Sequence, residues 1–247
     1  MHRESSYVPV SRLCVANSGA LGVVLLPVGR VCRVFCVLLL VADPQPKAER
    51  RVHLLAMPEN RNDDGHNREQ MRGIMVGMGN VSVVITSYNQ NEMIREAVDS
   101  VRRQKLRPDA IIVVDDGSTD PASVQVLDEL EQADDITVIR QGNAGPSAAR
   151  NVGIRAARTD CVTVLDGDDR LLPTFLATTV GLLDGDASAV AASGWLRTFG
   201  VLDAVVKPTG GTIADFLPRN ACPATFTFRR TVWETCGGYD ESMRSGF

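Results

Sequence analysis

From Val81 onward the chain alternates short, almost uninterrupted β-branched runs with amphipathic stretches, and this alternation constrains the fold more than any other feature. The runs are VSVVITS (81–87), AIIVVD (110–115), ITVIR (136–140) and CVTVLD (161–166). A strand wetted on one face alternates apolar and polar residues, whereas a strand buried on both faces reads as a continuous apolar run. Between the runs, QNEMIREAVDSVRRQ sets Ile94, Ala97, Val98 and Val101 at helical spacing. Asp120 followed by Pro121 signals the cap and first turn of a helix through Val124, Leu127 and Leu130, and a third helix is expected from about Ser147 to Ala157. Strands alternating with helices imply right-handed crossovers and an α/β fold built on a largely parallel sheet. After Leu171 the order loosens. A helix is expected near 173–183, extended chain near 188–206, a short helix around Ile213 to Leu217, a strand at 225–228 and a helix carrying Val232, Trp233 and Cys236.

The first 78 residues have a different character. They carry a net charge of +3, against −7 for residues 79–247. The apolar stretch from Ala20 to Ala42 has the length of a membrane helix, but Arg30 and Arg33 interrupt it, each costing about 2.5–3.5 kcal/mol near a helix centre, and Pro27 adds a break. A signal-anchor is therefore the lesser reading. The following segment, rich in charge, Pro and Asn with no sustained period, reads as disordered linker. Residues 1–78 are expected to form an N-terminal extension, largely disordered, with Met71, Met75 or Met78 a candidate working start. Residues 79–247 are expected to form the folded domain.

Composition removes several function classes. The formal charge of −4 and the lack of a basic stripe argue against nucleic-acid binding. The histidines, His2, His53 and His66, all precede the folded region, which excludes imidazole-based nucleophilic schemes and histidine zinc sites from it. The six cysteines, Cys14, Cys32, Cys36, Cys161, Cys222 and Cys236, contain no CxxC pair and read as reduced thiols of a cytoplasmic protein.

In open parallel sheets ligands bind beyond the carboxyl ends of the strands. Three polar clusters fall there: TSYN (86–89), DDGSTD (115–120) and DGDD (166–169). Each alone is ordinary turn chemistry. Together they gather carboxylates that repel one another unless a cation or donor sits among them. With oxygen ligands and neither His nor Cys, that cation is expected to be Mg²⁺ or Mn²⁺. In Asp166-Gly167-Asp168 the two acids can face one site, with the glycine letting a ligand approach the backbone. The turn QGNAGPSAARNVGI (141–154) supplies opposite charge through Arg150, either as a fork to phosphate or a ribose-bearing ligand or as a surface partner of an Asp. It contains neither GxxxxGK[ST] nor GxGxxG, which removes P-loop hydrolases and dinucleotide enzymes.

The ordered blocks VSVVITSYNQ, IIVVDDGSTD, GNAGPSAARNVGI, VTVLDGDD and FRRTVWETCGGYDESMRSGF resemble the family 2 glycosyltransferases of the GT-A fold, from about Val81 to Phe247. The resemblance implies a Rossmann-like, largely parallel sheet with helices on both faces. It also implies inverting transfer of a sugar from a nucleotide-sugar, commonly UDP-linked, to an acceptor hydroxyl, assisted by Mn²⁺ or Mg²⁺. By the same resemblance Thr86 and Tyr88 touch the nucleotide, Tyr88 against the base. Asp116, with Asp115 beside it, reads the uracil, Arg150 faces the nucleotide, Asp166 addresses the ribose and Asp168 the metal. Relatives continue beyond the final block with an acidic pair that supplies the general base. The base is therefore expected beyond Phe247, with the acceptor half incomplete, an apolar surface exposed beside it, and Asp240 or Glu241 the substitutes within the chain.

Two other readings remain open at this stage: a nucleotide-binding remnant without transfer, and a haloacid-dehalogenase-type phosphatase with Asp166 as nucleophile and Asp168 as acid. The second departs from its pattern, because Asp169 and Arg170 follow the pair and two βα units precede it. The aromatics Trp195, Phe199, Phe226, Phe228 and Trp233 read as core, with a sugar-lining role the lesser one. Arg102, Arg103, Lys105 and Arg107 read as a solvated helix end, with membrane-surface contact as the alternative. The acceptor is a glycan, lipid or protein that the sequence does not specify.

Overall fold

The computed structural model describes residues 13–16, 21–24, 54–55, 80–199, 204–206 and 224–243. Three short strands come first: β1 (Leu13–Ala16), β2 (Leu21–Val24) and β3 (Leu54–Leu55). The alternation then runs β4 (Val81–Ser87), α1 (Glu92–Arg102), β5 (Ala110–Asp115), α2 (Pro121–Glu131), β6 (Ile136–Arg140), α3 (Pro146–Ala156) and β7 (Cys161–Asp166). It ends with β8 (Arg170–Leu171), α4 (Phe175–Gly185), β9 (Ala191–Ser193), β10 (Trp195–Thr198), β11 (Ala204–Val206), β12 (Phe226–Arg229) and α5 (Arg230–Cys236).

The main sheet has the order β3-β2-β9-β12-β7-β4-β5-β6. Its centre is parallel: β4 pairs with both β5 and β7, and β5 with β6, all in the same direction. The runs in β4, β5 and β7 are thus buried on both faces, as their pattern required, while ITVIR forms the edge strand β6, with Thr137 and Arg140 exposed. One face, carrying Val83, Ile85 and Val113, packs on Ile94 and Val98 of α1, Leu127 of α2 and Leu176 of α4. The other, carrying Val84, Val114, Val162 and Phe228, packs on Ala149 and Ile154 of α3 and on Trp233 of α5. Strand β12 inserts antiparallel between β7 and β9 and closes the parallel block on one side. A smaller sheet of order β11-β10-β1-β8 lies beside it.

Several expectations shift in detail. Asp120 caps α2 as read, its carboxylate accepting from the Ser123 amide at 2.9 Å with Pro121 in the first turn. The face that α2 buries, however, is Ser123, Val126, Leu127 and Leu130, leaving Val124 half-buried. Helix α4 begins two residues later than its pattern suggested, after Pro173. The extended region 188–206 divides into β9, β10 and β11, and the helix expected at 213–217 lies outside the described residues.

Within the N-terminal extension, β1 pairs with β10 and β8, β2 with β9, and β3 with β2; its other residues lie outside those described. Among the described residues no helix is long and apolar enough to cross a membrane. Among the described residues the large hydrophobic side chains that are exposed are Tyr88 and Val205.

Candidate functional site

The register brings the sequence clusters together. In the parallel pairing Thr86 of β4 stands opposite Asp166 of β7 and Val114 of β5, and Ser87 stands opposite Asp115. All three polar clusters therefore emerge at one end of the sheet, the end where α/β folds bind ligands.

Its most ordered feature is a cluster around one oxygen of Asp166. Oδ1 accepts from Nη2 of Arg150 at 2.7 Å and from the Thr86 hydroxyl at 3.3 Å. Arg150 is 4% exposed, one of the residues that α3 buries together with Ser147, Asn151 and Ile154. Of the two readings of this arginine, pairing with an Asp is what the structure displays, but in the interior and not on the surface. A guanidinium so placed is a fixed positive charge beside the strand ends. Its Cζ also lies 5.7 Å from the centroid of the Tyr239 ring.

Asp115 and Asp116 are both buried. Asp115 Oδ1 accepts from the Ser118 amide at 3.0 Å, closing its own turn. Asp116 reaches across to the loop before α3: Oδ1 accepts from Gln141 Nε2 at 2.7 Å and from the Ala144 amide at 2.8 Å, and Oδ2 from the Gly145 amide at 2.8 Å. Gly145 occupies the cap position with φ 93° and has no side chain to satisfy the first amides of α3. Asp116 acts as a remote cap, a carboxylate at the positive end of a helix.

Asp168 follows Asp166 on the turn after β7, with Gln90 Nε2 3.5 Å from its Oδ1. The glycine between the two acids has a different reason from the one expected. A Cβ at Gly167 would lie 2.0 Å from Gln90 Oε1 and 2.7 Å from the Thr86 carbonyl oxygen. Close approach of the β4–α1 loop demands the glycine here. Tyr88, by contrast, is 47% exposed on that loop, open to solvent at the mouth of the site. Among the described residues no group of three or more His, Cys, Asp or Glu is arranged to hold a metal. Two carboxylates on one turn still fit a hard cation that takes its remaining oxygens from substrate phosphates.

Sequence reasoning missed two sets of residues. Asn89 and Asn91 adopt positive φ, 52° and 49°. Asn89 accepts from the Thr119 and Asp120 amides at 2.8 and 3.0 Å, and Asn91 exchanges hydrogen bonds with Ser123. Asparagine tolerates this backbone better than most residues, and the result staples the loop bearing Tyr88 to the loop bearing Asp116. The second is Asn151, 2% exposed. Its amide meets the Tyr239 backbone, Trp233 and Glu241.

The proposed substitute acids have structural partners. Asp240 accepts from the amide and hydroxyl of Ser242, while Glu241 accepts from Asn151 and pairs with Arg155 at 3.0 Å. The Asn151 amide and then Arg155 hold the Glu241 carboxyl below its usual range. Phe226 and Phe228 are core residues, and the Trp233 indole donates to Asn151. In the basic run, Arg102 is spent on Asp135 and Asp99. The buried Cys161 thiol is pushed up to about 11 by desolvation.

Comparison with known proteins shows the family. The glycosyl transferase family 2 model matches residues 82–236, from β4 to the end of α5. This chain belongs to glycosyl transferase family 2. The match contains every residue of the Thr86, Asp116, Arg150, Asp166 and Asp168 constellation, and it sets aside the phosphatase reading. The chain is 42% identical over 89 residues to the uncharacterized glycosyltransferase EpsJ of Bacillus subtilis, covering 36% of this chain and 26% of EpsJ. The crystal structure of S. aureus TarS 1–349 superposes with a TM-score of 0.54 at 22% identity, covering 68% of this chain and 52% of that one. The same TarS fragment is known in complex with UDP, with a TM-score of 0.50 at 21% identity and the same coverage. The fold is GT-A, and the chain spans about a quarter of EpsJ and half of that TarS fragment.

Proposed function

We propose that this chain binds a UDP-linked sugar at the carboxyl ends of β4, β5 and β7 and transfers the sugar to an acceptor hydroxyl with inversion. The observation that carries the reading is the Thr86–Asp166–Arg150 cluster, a buried arginine held by one carboxylate oxygen beside the turn that bears Asp168. A family 2 domain and the UDP complex of TarS support the choice of ligand. Arg150 offers positive charge to the nucleotide, and Tyr88 offers an exposed ring for the base to stack on. Asp116 addresses the uracil edge from the loop it organises. Asp166 keeps a second oxygen for the ribose.

Asp168, on the turn two residues after Asp166, is the place for Mg²⁺ or Mn²⁺. Such an ion neutralises charge on the departing nucleoside diphosphate. Inversion also calls for a base on the opposite face of the sugar, typically worth about 10² to 10⁴ in rate. The partners of Asp240 and Glu241 argue against either for that task, and this favours, as a second reading, nucleotide binding without transfer by these 247 residues alone.

Calorimetry with UDP tests the first reading. Binding is expected to strengthen with Mn²⁺ and to lose that dependence in Asp168→Ala, with the melting temperature of the variant preserved. A chain that binds no UDP, or whose binding ignores both Mn²⁺ and Asp168, overturns it. Release of UDP from a UDP-sugar at ordinary rates, with an acceptor present, separates transfer from binding alone.

A further inference from the structure

We propose that Asn151 is a positioning residue for the donor site: it holds Tyr239 against the face of Arg150 and so fixes the guanidinium that meets Asp166. The inference rests on the nucleotide reading of that site. It makes the segment after α5 a working part of the donor pocket.

The argument begins with the pattern on α3. The residues that α3 buries include two large polar ones side by side, Arg150 and Asn151, where a buried helix face is normally apolar. Each needs partners to be buried without loss. Arg150 finds Asp166 along its edge. The amide of Asn151 finds four. Nδ2 donates to the Tyr239 carbonyl at 2.9 Å and to Glu241 at 2.8 Å, while Oδ1 accepts from the Tyr239 amide and from Trp233 Nε1, both at 2.9 Å. Both backbone groups of Tyr239 are therefore clasped by one side chain.

The C-terminal segment is shaped to reach it. Gly237 and Gly238 both have positive φ, 81° and 83°, and turn the chain back over α3. A Cβ at Gly238 would lie 2.8 Å from Asn151 Oδ1 and 3.0 Å from Trp233 Nε1, so only glycine lets the backbone come this close. One helical turn beyond Asn151, Arg155 pairs with Glu241 and lies 5.9 Å from the Trp233 ring, adding a second point of attachment. The consequence is the placement of the Tyr239 ring, 5.7 Å from Arg150 Cζ. That is within range of a cation–π contact, which is stronger where water is excluded. The guanidinium is thereby constrained twice, at its edge by Asp166 and on its face by Tyr239.

Four variants test the proposal by calorimetry with UDP and by thermal melting. Asn151→Ala and Tyr239→Leu are each expected to weaken UDP about 5-fold, the scale of one partly desolvated cation–π contact. Tyr239→Phe, which keeps the ring, is expected to recover what Tyr239→Leu loses. Val232→Ala, a core truncation in α5 that touches neither residue, serves as the structural comparator: its melting temperature falls while UDP affinity holds. A merely structural Asn151 would behave like Val232→Ala, so wild-type affinity in Asn151→Ala and Tyr239→Leu overturns the proposal while leaving the donor site intact. Should Asn151→Ala fail to fold, the two Tyr239 variants decide. A wild-type chain that binds no UDP overturns the donor-site reading itself, and this proposal with it.

Discussion

The pairing of Arg150 with Asp166 is asymmetric in burial, and the asymmetry makes a quantitative prediction. The arginine side chain is 5% exposed and the aspartate 32%. Breaking a buried ion pair costs about 3–5 kcal/mol when the partner left behind stays buried. Asp166→Asn leaves a charged guanidinium in the interior, where it cannot shed its proton. The asparagine oxygen still accepts from Nη2 and from Thr86, which places the expected loss near the lower end, about 3 kcal/mol. Arg150→Met instead leaves a carboxylate at the mouth of the site, where water reaches it, and fills the vacated volume with an apolar chain. Its expected cost is about 1 kcal/mol. The double variant should then resemble Arg150→Met alone, giving a coupling of about 3 kcal/mol between the two positions. Urea unfolding of the four proteins measures all three numbers, provided the denaturant slopes agree. Asp166→Asn no worse than Arg150→Met, or strictly additive losses, would refute the claim that the interior holds this charge.

Two further perturbations test the framework around the site. Glu241 has a depressed carboxyl, so its contribution is present above the ordinary value of 4.5 and is lost as pH falls through the lower folded value. In a Trp195→Phe background, Trp233 fluorescence should hold steady from pH 7 to about 5 and change below about 4.5, and Glu241→Gln should remove that part of the transition. At Gly153 a Cβ would lie 2.3 Å from Val84 Cγ1 and 3.0 Å from Val114 Cγ2. Overpacking of about 1–3 kcal/mol should outweigh the helix-propensity gain of about 1 kcal/mol, so Gly153→Ala lowers the melting temperature and added Val84→Ala partly restores it; a more stable Gly153→Ala would contradict this.

What the sequence made legible follows from which forces act locally. The three inner parallel strands, β4, β5 and β7, were readable because burial on both faces leaves a nearly unbroken apolar run, and α1 because Ile94, Ala97, Val98 and Val101 all face one side and are fully buried. The clusters at the strand ends were readable because a parallel sheet places every carboxyl end on one edge. What needs a partner from elsewhere was not. Nothing around Asp116 announces that its carboxylate will cap a helix that starts 30 residues later, since that pairing exists only once β5 and α3 are adjacent. The close approach at Gly167 likewise depends on Gln90 and the Thr86 carbonyl, from a loop nearly 80 residues earlier in the chain. Nor does TFTF show that β12 enters antiparallel between β7 and β9, because strand direction is set by the chain's return path. A signal for Asn151 did exist: two polar residues within the stripe that α3 must bury. Periodicity identifies the face, however, and the residues that meet it come from tertiary structure.

The partners of these acids also sharpen the expectation of a metal. Clustered carboxylates suggested a shared cation, on the ground that unscreened acids repel. In the structure most of that repulsion is already offset by the protein itself. Asp115 has the Ser118 amide, Asp116 the amides of Ala144 and Gly145 with Gln141, and Asp166 the guanidinium of Arg150. On the proposed reading the strand ends are held together without an ion, and the role of Mg²⁺ or Mn²⁺ narrows to the Asp166–Asp168 turn and to a bound diphosphate. Chelation should accordingly leave the melting temperature of the nucleotide-free chain within about 1 °C of its starting value. With UDP present, the added stabilisation should depend on the metal, as a ligand that binds only the folded state requires. A fall of several degrees on chelation without nucleotide would mean that an ion is part of the resting fold, and the balance of charges derived from Arg150 and the α3 amides would then be wrong.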